Sequence, residues 1–282
     1  MAIALALVAA VAYGLGDFVG GVASKRAPVW SVAFVVQAVG AVAILLVELV
    51  RPGSPTGADL GWAAGAGVAN GMGTVFLYRG LSSGRMSVVA PVSGVGAALV
   101  PTAIALALGE RLPLLVWLGL VAALPGIWLV AREPDVPTDS PAAGSGRSNG
   151  FLDGVLAGLG FGLLFAGLAR VPASAGWLPL ALNEVVAGIV IVTVATALRA
   201  PWVPRVPAAW LGAVSGLLVA VATGAFLLAS QRGYLTVAAV LTSLYPAVTV
   251  VLAATVLREH IHGSRVVGLV LCGAAVALVA AG

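Results

Sequence analysis

Long apolar segments separated by short polar joints run along the whole chain. A helix that crosses a bilayer needs about 20 mostly apolar residues, because the hydrocarbon core is about 30 Å thick and each helical residue rises about 1.5 Å. Ten segments have this length and character: 2–23, 29–50, 60–79, 86–108, 113–132, 151–171, 176–198, 207–229, 234–257 and 265–282. The pattern predicts an all-α integral membrane protein with ten transmembrane helices.

Most of the joints are short and contain turn-forming or charged residues, which is typical of an antiparallel helical bundle. The joint at residues 132–150 is different: it reads REPDVPTDSPAAGSGRSNG and has no apolar period. A stretch rich in Pro, Ser, Gly and Asp is typical of a flexible linker. We therefore expect two five-helix halves, residues 1–132 and 151–282, joined by a linker over residues 133–150.

The two halves resemble each other in sequence. A shift of 149 residues aligns Glu110 with Glu259, and a shift of 148 aligns Trp62 with Trp210. Because each half has an odd number of helices, the second should lie upside down relative to the first. Inverted repeats of this kind are a transporter architecture in which the binding site lies between the repeats near mid-membrane.

Composition strengthens the membrane assignment. Of the 282 residues, 61% are hydrophobic and only 9% are charged, whereas a soluble domain carries roughly a quarter charged residues. Mean hydropathy is +1.13, so the exterior must contact lipid. The first apolar segment has no basic leader and continues into further spans, so we expect a retained helix and not a cleaved signal peptide.

The distribution of Lys and Arg residues among the joints predicts the topology. The net charge of +4 is spread over many joints, which does not indicate a nucleic-acid-binding patch. The odd-numbered joints carry ten of the 14 Lys and Arg residues and the even-numbered joints carry four. The positive-inside tendency therefore predicts odd joints in the cytoplasm and both termini outside. The single cysteine, Cys272, excludes an internal disulfide and a Cys-rich metal site.

Two matching stretches, residues 90–131 and 239–280, each contain a proline in the fourth helix of a half, a glutamate at the next corner and a glycine-rich fifth helix. In these features the chain resembles EamA domains, the five-helix repeat of the drug/metabolite transporter superfamily, in two copies that cover nearly the whole chain. The second corner reads REH where the family commonly has GER, and Tyr13 stands where many members have Trp. The resemblance implies two inverted repeats and transport of a small molecule. It also implies that both termini lie inside the cell, opposite to the prediction from the charges.

Two acidic residues fall inside predicted spans. An ionised carboxylate near the bilayer centre costs at least about 2.5 to 3.5 kcal/mol on insertion scales, so it should face the bundle interior, a water-filled cavity or a partner. At 1.5 Å per residue, Asp17 lies roughly 9 Å from the Lys25–Arg26 corner, and Glu184 lies roughly 10 Å from the opposite face. Each is a candidate for substrate binding or ion coupling. The alternative for each is a structural ion pair or a water-bridged bond.

Six further polar side chains lie in predicted spans and extend a candidate polar track between the two faces: Tyr13, Gln37, Asn70, Ser93, Asn183 and Tyr245. Gln37 aligns with Glu184 at a shift of 147. The alternative for the amides and the serine is a hydrogen bond to a neighbouring helix. The alternative for the tyrosines is a packing role with a satisfied hydroxyl.

Prolines should interrupt two of the predicted helices. Pro91 and Pro101 lie in the fourth, and Pro246 lies in the ninth. Proline removes a backbone hydrogen bond and bends a helix, and in transporters such breaks commonly border the substrate cavity. We expect helix breaks at Pro91 and Pro246, with a kink satisfied by neighbouring groups as the alternative.

Other candidates have simpler interpretations. Glu110 and Glu259 sit at corners, where a carboxylate can cap the next helix. The two histidines, His260 and His262, alternate on one turn without a carboxylate or thiol partner at a known spacing, so we expect surface residues and no metal or cofactor site. Glycines at four-residue spacing, such as Gly158 with its neighbours, indicate close helix packing.

The sequence favours a secondary active transporter of a small organic metabolite or drug in the cytoplasmic membrane, working by alternating access between the repeats. No GxxxxGK[ST] loop is present to bind a nucleotide. Protons could couple through Asp17 and Glu184, because an apolar environment favours the protonated form of a carboxyl group. The same carboxylates would suit a cationic or zwitterionic substrate. The expected partners are a small molecule, protons and the bilayer, with the chain acting as a monomer or homodimer.

Three alternatives have different consequences. A facilitative uniporter or exchanger would work without proton coupling. A structural or regulatory membrane protein would transport nothing. An intramembrane serine protease would need a histidine from another helix, but both histidines lie at one corner, so we do not expect an enzyme.

Overall fold

The structure is a computed structural model that describes residues 1–82, 86–109, 111–131, 147–256 and 263–281. The first half contains α1 (Ala2–Ser24), α2 (Val29–Val50), α3 (Gly57–Ser82), α4 (Met86–Ala107) and α5 (Leu114–Ala131). The second half contains α6 (Arg147–Leu168), α7 (Leu178–Ala197), α8 (Gly212–Ser230), α9 (Leu235–Thr242), α10 (Tyr245–Val256) and α11 (Gly263–Ala281). The described residues contain no β-strand.

All ten predicted spans coincide with helices, and the ninth consists of two of them, α9 and α10. In the described ranges, four helices are long and apolar enough to cross a bilayer, namely α1, α2, α7 and the segment Pro207–Ser230 that contains α8. Shorter apolar stretches lie in α4, α5, α6 and α11. The protein is therefore an all-helical membrane protein, as the hydropathy pattern predicted.

The outside of the bundle is apolar, and glycines inside it bring some of the helices into close contact. On α2, Leu46 is 59% exposed and Leu49 is 78% exposed, as expected of side chains that contact lipid. Interior contacts are very close: a Cβ on Gly160 would lie 2.6 Å from the Cα of Gly73, and one on Gly96 would lie 2.8 Å from the Cα of Gly158. These two contacts bring α6 against α3 and α4, which is the role expected of closely spaced glycines.

Helices of the first half pack mainly against helices of the second. α1 packs on α8 just as α6 packs on α3, and α4 packs on α6 just as α9 and α10 pack on α1. α2 pairs with α7, and α5 pairs with α11. If each helix of the first half is replaced by the corresponding helix of the second half, and the reverse, every one of these contacts corresponds to another contact in the set or to itself.

The two halves differ in whether a helix is interrupted near the expected proline. α4 runs without interruption through Pro91 and Pro101, so the expected break at Pro91 does not occur. Proline removes one backbone hydrogen bond, and neighbouring helices can hold the rest of a membrane helix in place. In the second half, α9 ends at Thr242 and α10 begins at Tyr245, with Pro246 in its first turn. Proline suits that position because the N–H groups of a first turn have no partner within the helix.

Two sequence expectations concern the region between the halves and the corners. α6 begins at Arg147, four residues before the predicted start of the sixth span at residue 151, because Ser and Asn are accepted at the start of a helix as readily as in a linker. The rest of the linker, together with four corner candidates, lies outside the described residues: Glu110, Glu259, His260 and His262.

Candidate functional site

A cavity lies among α1, α2, α3, α6, α8 and α10, so both halves of the chain contribute to its wall. Its volume is about 80 Å³, which is smaller than the volume of about 300–1,000 Å³ of typical small-molecule pockets. This is room for several water molecules, so a larger substrate requires the surrounding helices to move apart.

Asp17 is exposed within this cavity, although it lies inside a membrane-length helix. The described part of the chain gives its carboxylate no hydrogen bond and no ion pair. Tyr13 lies one helical turn earlier and lines the cavity too, because residues four apart share a face of an α-helix.

Glycines beside Asp17 explain how α1 exposes it. A Cβ on Gly14 would lie 2.6 Å from the Cβ of Val248, so α10 approaches the backbone of α1 directly. On another side, the hydroxyl of Ser215 on α8 donates to the carbonyl oxygen of Gly16 over 2.8 Å. The segment YGLGDFVGG thus packs closely through its glycines and turns Tyr13 and Asp17 into the cavity.

An aromatic cluster forms part of the cavity wall. The Tyr13 ring centroid lies 6.2 Å from that of Phe165 and 6.2 Å from that of Tyr245. Phe165 packs in turn on Phe226, with centroids 4.4 Å apart. Phe161 also lines the cavity. These separations are those of interacting aromatic pairs.

Neutral polar side chains from α2 and α3 also line the cavity. Gln37, Asn70 and Thr74 all border the cavity and are largely buried, with exposures of 3%, 6% and 8%. The Oε1 atom of Gln37 has no hydrogen-bond partner in the described ranges. A buried amide oxygen without a partner is unfavourable, so a ligand donor at this point would be stabilising.

Glu184 and Asn183 lie outside the cavity, so the expected continuous polar track stops at Gln37. Glu184 is fully buried, and its Oε1 accepts a hydrogen bond from the amide of Asn183 over 3.1 Å. Its Oε2 has no partner among the described residues, and a Cβ on Gly40 of α2 would lie 3.6 Å from it. The carboxyl group is thus covered by α2, because α7 turns this face toward the helix interface.

Ser93 also lies outside the cavity lining. It is fully buried in α4 and forms a side-chain hydrogen bond with Tyr245, which does line the cavity. Of the eight predicted polar candidates, the structure collects five around the cavity, Tyr13, Asp17, Gln37, Asn70 and Tyr245, and leaves three in helix interfaces, Ser93, Asn183 and Glu184.

Sequence reasoning missed several lining residues that the comparison of the halves could have found. Thr74 and Thr223 both line the cavity and align at the same shift of 149 that aligns the two corner glutamates. At a shift of 148, Phe165 aligns with Asp17. The equivalent positions of the two halves therefore meet at one cavity, where one contributes a carboxylate and the other a ring.

Charge is sparse around the site. No Lys, Arg or His belongs to the described lining of the cavity, and Asp17 is its one charged member. The described residues contain no cluster of three His, Cys, Asp or Glu side chains that could hold a metal ion. An ion pair between Arg79 of α3 and Asp153 of α6 lies away from the cavity lining. The described wall of the cavity therefore offers a single carboxylate.

Comparison with known proteins gives three results. A model of the EamA-like transporter family matches residues 1–132 and 177–281, whereas no curated protein matches the sequence. In all, 27 chains of solved structures match. One, from a crystal structure, is 17% identical, superposes with a TM-score of 0.78, and the match covers 98% of this chain and 95% of that chain. At this identity the likeness shows the fold alone.

Proposed function

The chain belongs to the EamA-like transporter family, and we propose that it is a secondary active transporter of a small organic molecule that binds in the cavity around Asp17. One observation carries the proposal: a carboxylate without a hydrogen bond or ion pair to any described residue is exposed in a cavity whose wall comes from both halves of a membrane protein. A charge at this depth is costly, and in membrane proteins such residues usually belong to a substrate or ion pathway.

Alternating access would come from a rocking motion of two inverted repeats about the cavity. Corresponding helices of the two halves make corresponding contacts, since α1 packs on α8 as α6 packs on α3. This correspondence supports the arrangement. Repeats of this kind can adopt two conformations of similar energy in which the site opens to one side or the other. The break between α9 and α10 borders the cavity at Tyr245, where a change of helix direction would move the wall.

Proton coupling would use the two membrane carboxyl groups in different ways. Asp17 is exposed in the cavity, where substrate and proton can compete for it. Glu184 is fully buried, and its Oε2 lacks a hydrogen bond to any described residue. A proton on that oxygen, or a hydrogen-bond donor brought to it by a conformational change, would therefore stabilise the buried carboxyl group. We propose that Asp17 exchanges substrate for a proton and that Glu184 responds to the change of conformation.

We place the transporter in the cytoplasmic membrane, where a proton gradient can drive it. Its partners are then the substrate, protons and the surrounding lipid. The rival functions predict different transport: a facilitative carrier would equilibrate its substrate whatever the proton gradient, and a structural protein would move nothing.

The test is substrate-driven proton movement in proteoliposomes. Vesicles with an acidic lumen and a trapped pH dye receive amines, amino acids, sugars, carboxylates and nucleosides in turn. We expect at least one class to raise the luminal pH in the presence of the wild-type protein. Asp17→Asn should abolish this signal, whereas Asp59→Asn, which alters a carboxylate bonded to Thr56 away from the cavity lining, should keep it.

The outcomes separate the alternatives. Uptake that does not depend on the proton gradient would overturn the coupled mechanism and favour a facilitative carrier. No uptake of any class by folded wild-type protein would overturn transport. A signal that persists in Asp17→Asn would remove Asp17 from the mechanism.

A further inference from the structure

We propose that the cavity selects an organic monocation, an amine or ammonium compound with an apolar body. This inference rests on the proposed function and names the substrate class for it. It follows from the charge, the rings and the neutral polar groups of the cavity wall.

Among the residues that the structure describes, the cavity wall carries one charge, which is negative. Asp17 is the one charged residue in the described lining, and no cation from the described residues pairs with it. The neighbouring charges are occupied elsewhere, since Arg79 pairs with Asp153 and Glu184 is buried in a helix interface. A cationic substrate would supply the missing partner, whereas an anion would be repelled by the carboxylate in a medium that screens charge poorly.

The rings of the wall favour the same class. Tyr13, Phe161, Phe165 and Tyr245 all line the cavity that contains Asp17. The face of an aromatic ring carries partial negative charge and attracts ammonium groups, and its apolar surface packs against a hydrocarbon body. A substrate with a cationic head and an apolar body would use both properties of the wall.

Monocations are favoured over dications because the two halves differ at equivalent positions. Phe165 stands in the second half where Asp17 stands in the first, and both line the cavity. The second half therefore adds a ring where a symmetrical site would add a second carboxylate. A dication would leave one charge without a counterion.

Zwitterions are disfavoured for a related reason. Gln37 and Asn70 can donate hydrogen bonds to a carboxylate, but they are neutral and do not balance its charge. The described wall contains no Lys or Arg for that purpose. An amino acid would thus bring a carboxylate into the cavity without a counterion, and an amine of the same shape would not.

The experiment compares four compounds that share one phenylethyl body: phenethylamine, L-phenylalanine, 3-phenylpropionate and 2-phenylethanol. Binding to the purified full-length protein in detergent is measured by titration calorimetry at neutral pH. We expect phenethylamine to bind at least about tenfold more tightly than each of the other three, because it alone pairs its charge with Asp17 without adding an uncompensated one.

Variants of the cavity wall test which residues cause the preference for phenethylamine. Asp17→Asn should weaken phenethylamine binding by at least about tenfold and leave 2-phenylethanol binding unchanged, while Asp17→Glu keeps the charge and should keep the preference. Phe165→Leu should weaken phenethylamine binding more than 2-phenylethanol binding. Asp59→Asn is the matched control for loss of a carboxylate away from the lining and should change neither. Size-exclusion profiles verify that each variant is folded.

Several results would overturn the monocation site: tighter binding of L-phenylalanine or 3-phenylpropionate, equal binding of all four compounds, or undiminished phenethylamine binding by folded Asp17→Asn. These failures are distinguishable from failure of the proposed function. If an anion or amino acid binds more tightly and is also taken up by proteoliposomes, transport stands and the substrate class is wrong. If phenethylamine binds as expected and no compound is transported, the cation site stands and the transport proposal is wrong.

Discussion

The hydroxyl of Tyr13 lies 2.8 Å from the hydroxyl of Thr223 and joins α1 of the first half to α8 of the second. Thr223 also donates to the carbonyl oxygen of Val219 over 2.8 Å. A threonine hydroxyl has a single proton, so Tyr13 must be the donor in the bond between the halves. The bond holds the tyrosine ring in the cavity wall, one turn from Asp17.

This bond should be measurable as a coupling energy. We predict that Tyr13→Phe and Thr223→Val each destabilise the protein and that a double-mutant cycle yields a coupling of about 0.5–1.5 kcal/mol. Unfolding in detergent provides the free energies. Thr102→Val is the control, because Thr102 donates only to the carbonyl of Ala98 in its own helix. Coupling of Tyr13→Phe to Thr102→Val of the same size would show that the cycle does not report the bond.

Glu48 should stabilise the start of α7. Its Oε2 accepts hydrogen bonds from the backbone N–H groups of Trp177, at 2.7 Å, and Leu178, at 3.0 Å, and its Oε1 accepts one from Gly53 at 3.1 Å. Glu48→Ala should lower stability by about 1–3 kcal/mol, because it leaves N–H groups unpaired at a positively polarised helix end. Glu48→Gln should cost less, since one acceptor oxygen remains. Equal losses for the two variants would mean that packing and not hydrogen bonding is responsible.

Gly176 should tolerate no side chain. Its φ is +70°, and a Cβ there would lie 2.6 Å from the Cα of Gly53. Gly176→Ala should therefore destabilise the protein by at least about 1 kcal/mol, through both strain and the backbone contact. Gly61 is the contrast: nothing lies within 4 Å of its added Cβ inside α3, so Gly61→Ala should stabilise by about 0.5–1 kcal/mol. Thermal unfolding that ranked the two variants in the opposite order would contradict this prediction.

The pair of Arg79 and Asp153 should matter more than a surface charge. The Asp153 side chain is 5% exposed and that of Arg79 is 49% exposed, so removal of the arginine leaves a carboxylate buried. Arg79→Gln should cost about 1–3 kcal/mol, and Asp153→Asn in the same chain should recover part of that loss. Arg232→Gln, at an exposed arginine that donates to the carbonyl of Leu228, should change stability by less than about 0.5 kcal/mol. No recovery in the double variant would argue against the ion pair as the cause.

The charge distribution predicts that the joint after α1 is cytoplasmic. The native thiol, Cys272, is buried and can be removed as Cys272→Ala to give a background without cysteine. Lys25→Cys and Arg51→Cys then introduce exposed thiols on joints of opposite sides. An impermeant maleimide added to intact cells should label the second and not the first, because the more basic joints stay inside. The reverse labelling would favour the topology that the family resemblance implies.

The helices were predictable because hydrophobic length depends on the bilayer and not on the neighbours of a helix. The proline of the ninth span predicted a break at Pro246, and the structure has one directly before it, at Ser243–Leu244 between α9 and α10. The same reasoning did not predict that α4 would run through Pro91, because that outcome depends on how neighbouring helices satisfy the freed backbone groups.

The site was predictable only in part for a related reason. A carboxylate in an apolar span indicates a cavity or an interface, and the sequence does not distinguish the two. Asp17 lines the cavity because flanking glycines let α8 and α10 pack beside it, whereas Glu184 packs under Gly40 of α2. That difference arises from contacts between the halves, which neither half encodes by itself.

The pairing of Asp17 with Phe165 at equivalent positions has a consequence for the energetics of the proposed cycle. A cavity whose described wall has one acidic group can carry one cation in one direction and one proton in the other at the same place. Such an exchange is electroneutral, so the membrane voltage would do no work on it and the difference in proton concentration alone would set the steepest substrate gradient that the cell can maintain.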